Sequence, residues 1–141
     1  MKLGCTRSQM GLSEAQRMVI PLLLVALRPD ELHHGDCVGG DEAGHALARE
    51  FTKAWIVAHP GDIPAKRAHC AADETRPVAP TLARNRAIVD ATDILLACPA
   101  CEEYTRSGTW ATVRYARRGQ PLIIVMPDGE IRRENPHPEA P

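Results

Sequence analysis

The sequence predicts a small doubly wound α/β fold: about five mainly parallel strands with helices on both faces. Two observations carry this. Short apolar runs alternate with helical patterns through most of the chain, the arrangement of a parallel sheet with crossover helices. The length of 141 residues, 44% of them hydrophobic, supports one folded domain, expected over residues 1–126.

The first strand is expected over Lys2 to Thr6. Ser13, with Gln16 three residues later, forms a capping-box pattern, and Ala15, Met18, Val19, Leu22, Leu23, Ala26 and Leu27 follow as one helical stripe. Pro21 inside that stripe removes a backbone donor, so a kink is expected. A short strand over Glu31 to His34 precedes the loop Gly35-Asp36-Cys37-Val38-Gly39-Gly40, and a helix runs from Asp41 to about Thr52. The third strand is Ala54 to Ala58. Residues 59–79 carry four prolines or glycines (Pro60, Gly61, Pro64, Pro77) and no clear periodicity, the pattern of a long functional or mobile loop. A helix over Thr81 to Ala91, a buried strand over Ile94 to Cys98, a helix from Gly108 to Arg118 and a strand over Pro121 to Met126 complete the domain. Residues 127–141 read as a turn and a loose tail punctuated by Pro136, Pro138 and Pro141.

Charge and composition exclude several classes. Seventeen basic residues face eighteen acidic ones, a net charge of −1, which does not suit a domain that holds nucleic acid through its overall charge. Aromatic residues make up 4%, too few for an extended base-stacking platform. The longest apolar run, Met18 to Leu27, is too short to cross a bilayer, so no membrane partner is expected. The amino terminus has no signal-peptide apolar region, and the expected location is cytoplasmic. Five cysteines do not make a disulfide framework.

In an open parallel sheet, ligands sit beyond the carboxyl ends of the strands where the strand order reverses. The loops arriving there are Thr6 to Gly11, Gly35 to Asp41 and Pro99 to Gly108. Two of them, at Gly39-Gly40 and at Ser107-Gly108-Thr109, place small residues before a helix, where a phosphate can approach unpaired N–H groups and the helix dipole. Arg84 and Arg86 offer countercharge. Asp41 reads either as a helix cap or as a carboxylate for ribose hydroxyls.

These residues carry a resemblance. Gly35-x-x-x-Gly39-Gly40-Asp41-x-x-x-His45, then Arg84-Asn85-Arg86-x-Ile88, Ser107-Gly108-Thr109-x-x-Thr112 and Ala116-x-x-Gly119-x-Pro121 resemble the motifs of DNA-processing protein A. The same skeleton is similar to the Lonely Guy (LOG) phosphoribohydrolases, and both belong to the Rossmann-like SLOG superfamily. The resemblance implies a nucleotide site formed by Thr6, Arg7, Ser8, Gly35, Asp36, Cys37, Gly39, Gly40, Asp41, Arg84, Pro99, Ser107, Gly108, Thr109 and Thr112. LOG enzymes place a catalytic Glu just after the Gly-Thr, whereas this helix reads Gly108-Thr109-Trp110-Ala111-Thr112. The implied function is binding of a small nucleotide-derived ligand (a nucleotide, an ADP-ribose-type molecule or a cyclic nucleotide signal) by a non-catalytic sensor or sequestering protein. No cofactor is called for, and a homo-oligomer, dimer or larger, is expected because Met18 to Leu27 is more apolar than a core contact requires.

Three other readings compete. An N-glycoside hydrolase or phosphoribohydrolase would draw its carboxylate from Asp36, Asp41, Glu102 or Glu103. A single-stranded DNA-binding module follows from the DNA-processing resemblance, although the charge disfavours it. A metal or redox site would use Cys98-Pro99-Ala100-Cys101 with Cys5, Cys37, Cys70 and the histidines His33, His34, His59 and His69; one CxxC without a second pair is a weak signal, and no metal is expected. Trp110 falls on the apolar stripe of its helix and reads as core, while Trp55 is free to stack on a base.

Overall fold

The computed structural model describes residues 1–136. Seven strands form one sheet in the order β4-β3-β2-β1-β5-β6-β7. They are β1 (Lys2–Arg7), β2 (Glu31–His34), β3 (Trp55–Ala58), β4 (Glu74–Thr75), β5 (Ile94–Cys98), β6 (Leu122–Val125) and β7 (Ile131–Glu134). All pairings are parallel except that of β6 with β7. The helices are α1 (Glu14–Leu27), α2 (Gly40–Phe51), α3 (Thr81–Asp90) and α4 (Gly108–Ala116). This is the doubly wound architecture the alternating pattern predicts. The chain winds outward from β1 to β4, returns to β5 beside β1, and so opens a crevice between the loops that leave β1 and β5.

Alternation along the strands feeds two cores. Leu3 and Cys5 of β1, Leu96 and Cys98 of β5, and Ile123 and Val125 of β6 pack with Ile20, Leu23 and Leu24 of α1 and Ala48 of α2. Leu95, Ala97, Leu122 and Ile124 face the other way, onto Val89 of α3 and Trp110, Val113 and Ala116 of α4. Trp110 is therefore a core residue, and its indole N–H donates to the Cys101 carbonyl at 3.0 Å.

The capping box forms as the sequence implies: Gln16 N–H donates to Ser13 Oγ, and Ser13 N–H to Gln16 Oε1. Gln16 then spends its buried amide on the carbonyls of Pro99 and Val125, both at 2.8 Å, tying α1 to the ends of β5 and β6. The helix continues through Pro21 to Leu27 and ends on Arg28 in the left-handed region. No helix among the described residues is long and apolar enough to cross a membrane.

Two strands lie where none is expected. The turn after Pro127 forms, with Gly129 N–H donating to the Met126 carbonyl at 2.8 Å, but the chain then pairs antiparallel with β6 as β7. Arg132, Arg133 and Glu134 hide this strand in the sequence, since an edge strand anchored by ion pairs needs no apolar alternation. The remaining tail, 137–141, lies outside the described residues. Inside the unpatterned 59–79 segment, the two-residue strand β4 is too short to announce itself. That segment also holds a 3-10 turn, Pro64–Lys66.

Candidate functional site

The carboxyl ends of β1, β2 and β5 open on a cleft of about 550 Å³. Its walls are the β1–α1, β2–α2 and β5–α4 loops, one face of α3, and Lys66 from the long loop. Ten of the sequence-derived site residues line it: Thr6, Arg7 and Ser8 from the first loop, Gly35, Cys37 and Asp41 from the second, Arg84 from α3, and Ser107, Gly108 and Thr109 at the start of α4.

Five do not line it, each for a local reason. Asp36 is buried with φ 53°, and its carboxylate is taken by Arg67 Nε at 3.2 Å and the Cys70 N–H at 2.8 Å. It stitches the long loop to β2 and presents nothing to a ribose. Gly39 and Gly40 serve the approach of two backbones. A Cβ on Gly39 (φ 85°) would sit 2.1 Å from the Gln9 carbonyl oxygen, and one on Gly40 would sit 2.5 Å from that of Ser8. Pro99 offers its carbonyl to Gln16, and Thr112 turns its hydroxyl onto the Gly108 carbonyl at 2.9 Å.

The two expected anion loops therefore differ. At α2 two of the first three donors are occupied: Gly40 N–H donates to the Ser8 carbonyl at 2.8 Å, and Glu42 N–H to that of Cys37 at 3.1 Å. At α4 the Ser107 hydroxyl accepts the Trp110 N–H, while Gly108 and Thr109, whose N–H groups have no intrahelical acceptor, line the cleft. A Cβ on Gly108 would meet nothing within 4 Å.

Charge is concentrated here. Arg7, Lys66, Arg84 and Arg106 line the cleft against a single carboxylate, Asp41. The Arg7 side chain is wholly buried beneath α2, where a Cβ on Gly44 would lie 2.2 Å from its guanidinium carbon. None of its three nitrogens has a hydrogen-bond partner, and Asp41 Oδ1 stands 3.7 Å from Nη1, itself unpartnered. Burial raises the Asp41 carboxyl above the usual carboxylate range, against the opposing pull of Arg7 and Arg84. The neighbouring thiols give Arg7 no countercharge, because burial pushes Cys5 upward and Cys98 up to about 12.

Arg84 works mainly as a clasp. Its guanidinium donates to the carbonyls of Gly35 and His59, to Asn85 Oδ1 at 2.7 Å and to Cys37 Sγ at 3.5 Å, so it closes the β2 and β3 loops while adding its charge to the cleft wall. Arg86, expected beside it, lies instead over the Tyr115 ring at 5.2 Å, away from the cleft.

The competing chemistries find less support. Glu103 pairs with Arg114 and Arg117, and Glu102 with Arg132; neither lines the cleft, which leaves Asp41 as the one carboxylate there. Ligand atoms of His34, His45 and Cys70 fall within 4.8 Å of one another, the spacing of a metal cage. However, the Asp36 N–H donates to His34 Nδ1 at 2.9 Å, which puts the proton of the neutral ring on Nε2, facing His45 Nδ1 at 3.0 Å. A neutral His34 has no lone pair left for a metal. The cluster is a hydrogen-bonded chain. A second chain runs from Glu31 through His33 (2.9 Å) to His59 (2.8 Å). Cys98 is sealed in the sheet, while Cys101 is exposed at the cleft. Trp55 is half-exposed at the start of β3, the opposite end from the cleft.

Sequence reasoning missed Met10, Lys66, Tyr104 and Arg106 as cleft residues. Three of them lie within the two loops already singled out, so their place in the loop was the available signal. Lys66 gave none, since only the fold brings the long loop back over β2.

No protein-family model matches the chain, and no curated protein sequence matches it. Two solved structures share its fold. The molybdenum cofactor binding protein from the phototrophic bacterium Rippkaea orientalis superposes with a TM-score of 0.64 at 19% identity, covering 89% of this chain and 76% of that one. The structural-genomics target TM1055 superposes with a TM-score of 0.61 at 15% identity, covering 86% of this chain and 71% of that one. At such identities the likeness establishes the architecture alone: the chain adopts a Rossmann-like fold that these proteins also adopt.

Proposed function

We propose that this chain is a SLOG-type binding domain whose cleft holds a small phosphate-bearing, nucleotide-derived ligand, acting as a non-catalytic sensor or sequestering protein. The observation that carries the reading is the cleft itself: four cationic residues to one acidic residue, next to the N-terminus of α4. Arg7 adds a buried positive charge with no hydrogen-bond partner beneath α2, behind the cleft wall. One structural neighbour is named for binding a cofactor, a small-ligand role on the same fold.

The hydrolase reading lacks a placed catalytic group. No acid follows Gly108-Thr109 on α4, and Asp41 is 5% exposed, with Oδ2 accepting the Cys37 N–H. The five cysteines are all unpaired, which fits the cytoplasmic location we assign. We also assign a homodimer or larger assembly formed through α1, where Met18 and Leu22, 70% and 72% exposed, stand one helical turn apart with Val25 beyond them. Leu22→Glu should shift the sedimentation coefficient to that of the monomer.

The functional test mixes purified protein with nucleoside monophosphates, ADP-ribose, its cyclic forms and cyclic oligonucleotides. The filtrate and the heat-released fraction are then compared by chromatography with mass detection. A ligand depleted from the filtrate and recovered intact supports the binder. Free base with ribose phosphate would replace it with the hydrolase.

A further inference from the structure

Between Cys101 and Thr105 the β5–α4 loop is pinned from outside at alternate residues. The Cys101 carbonyl accepts the Trp110 indole N–H at 3.0 Å. The Glu103 carboxylate is gripped by Arg114 and Arg117, and the Thr105 carbonyl accepts from Arg114 Nη2 at 3.2 Å. The residue between the last two is Tyr104, which lines the cleft. Tyr104 is 52% exposed, and its hydroxyl has no hydrogen-bond partner among the described residues. Across the described residues, Tyr104 is the one aromatic side chain lining the cleft. Trp110 is in the core, and Tyr115 is engaged by Arg86 and Asp90. The other exposed large apolar side chain at the cleft is Met10, 90% exposed on the β1–α1 loop.

A half-exposed tyrosine held in place by ion pairs behind it, at the rim of a polar and cationic cleft, has no packing role to explain it. A loop segment already held in place also loses less conformational entropy when its side chain stacks on a ligand. Resting on the proposal that the cleft takes a phosphate-bearing ligand, we infer that Tyr104 is the platform for that ligand's planar heterocycle, with Met10 at the opposite loop as its apolar neighbour. The phosphate sits at the start of α4, three to four residues further along the same loop, so one short segment reads both ends of a compact nucleotide. Tyr104 is then the residue that separates a nucleotide from a bare sugar phosphate.

The test is calorimetric titration of the wild type, Tyr104→Ala and Tyr104→Phe with ribonucleoside monophosphates, ADP-ribose, its cyclic forms, cyclic oligonucleotides and ribose phosphate. The wild type should bind at least one nucleotide about ten-fold more tightly than ribose phosphate, on the scale of one stacked base. Tyr104→Ala should erase that preference and leave ribose phosphate affinity unchanged, while Tyr104→Phe should retain it. A preference that survives Tyr104→Ala overturns the assignment of the ring and leaves the phosphate site standing. Equal wild-type affinity for ribose phosphate and every nucleotide overturns it as well. Failure of the wild type to bind any of these phosphates overturns the proposed function, and this inference with it.

Discussion

Gly108→Glu separates binding from folding at the start of α4. The position tolerates a side chain: an added Cβ meets nothing within 4 Å, and the backbone is not in the left-handed region. A carboxylate in the first turn interacts favourably with the helix dipole by about 0.3–1 kcal/mol, so the fold should be unharmed or slightly stabilised. The ligand experiences the opposite effect. Two unit charges about 4 Å apart repel by about 1 kcal/mol in bulk water and about 4 kcal/mol at the effective dielectric of a protein surface. A phosphate monoester carries about −1.5 to −2 at neutral pH, which places the expected loss at about 100-fold in affinity or more. Gly108→Ala keeps the charge and the N–H groups and should lose much less. Titration of the bound nucleotide reads the affinity, and a thermal melt reads the fold. Wild-type affinity in Gly108→Glu would show that the anion does not sit at α4. A melting temperature lowered by several degrees would show that the loss of binding is a loss of structure.

Other perturbations address the buried charges and the outer ion pairs. Gly44→Ala drives a methyl into the Arg7 guanidinium, which has no solvent route where it lies, and should lower stability by about 1–3 kcal/mol in urea titrations; an unchanged midpoint would mean Arg7 swings freely. Burial lowers His59 from 6.5 to about 4 and His34 well below 6.5, so the unfolded chain binds more protons than the folded one beneath pH 6.5. Stability should be complete above about pH 6.5 and lost progressively as the pH falls toward about 4, by about 3 kcal/mol from His59 alone. The raised Asp41 carboxyl opposes this trend, and denaturation midpoints that stay flat or rise across that window would refute the dominance of the histidines. Glu103→Gln should change stability by less than about 1 kcal/mol, since its partners are the partly exposed Arg114 and Arg117, and should weaken nucleotide binding by less than Tyr104→Ala does. Loss of turnover with binding intact would restore Glu103 as a catalytic acid.

Legibility in the sequence followed the physics of each segment. β5 lies at the bounds its apolar run implies, because a strand buried on both faces has little freedom of composition. The Ser13–Gln16 box was legible because its two hydrogen bonds are local. β7 was not, because pairing with β6 and ion pairs to Arg117 and Glu102 stabilise it, and these are long-range. The pair Gly39-Gly40 shows the sharper limit. Paired glycines before a helix mean that something approaches the backbone closely, and the sequence does not say what. At α2 the approaching group is the chain itself, at Ser8 and Gln9; at α4 the space by Gly108 is open. The same local signal thus has two opposite meanings, decided by whether the β1–α1 loop covers the helix end.

Net charge conceals the cleft for a related reason. The acids and bases nearly cancel in number but not in position. Glu102, Glu103 and Glu134 are taken up by Arg132, Arg114 and Arg117 on the outer side of α4 and β7, Asp73 by Arg49, and Asp36 by Arg67. These pairings leave Lys66 and Arg106 at the cleft without an acidic partner among the described residues, and Arg84 bonded to carbonyls, an amide and a thiol. A bound polymer would need a continuous track of such free cations, because its affinity scales with the number of phosphates neutralised. Under the proposed function, a cleft flanked by paired charges instead focuses its field on one small anion near the α4 terminus. Binding should therefore weaken only modestly with added salt, in contrast to the steep dependence of a nucleic-acid-binding surface.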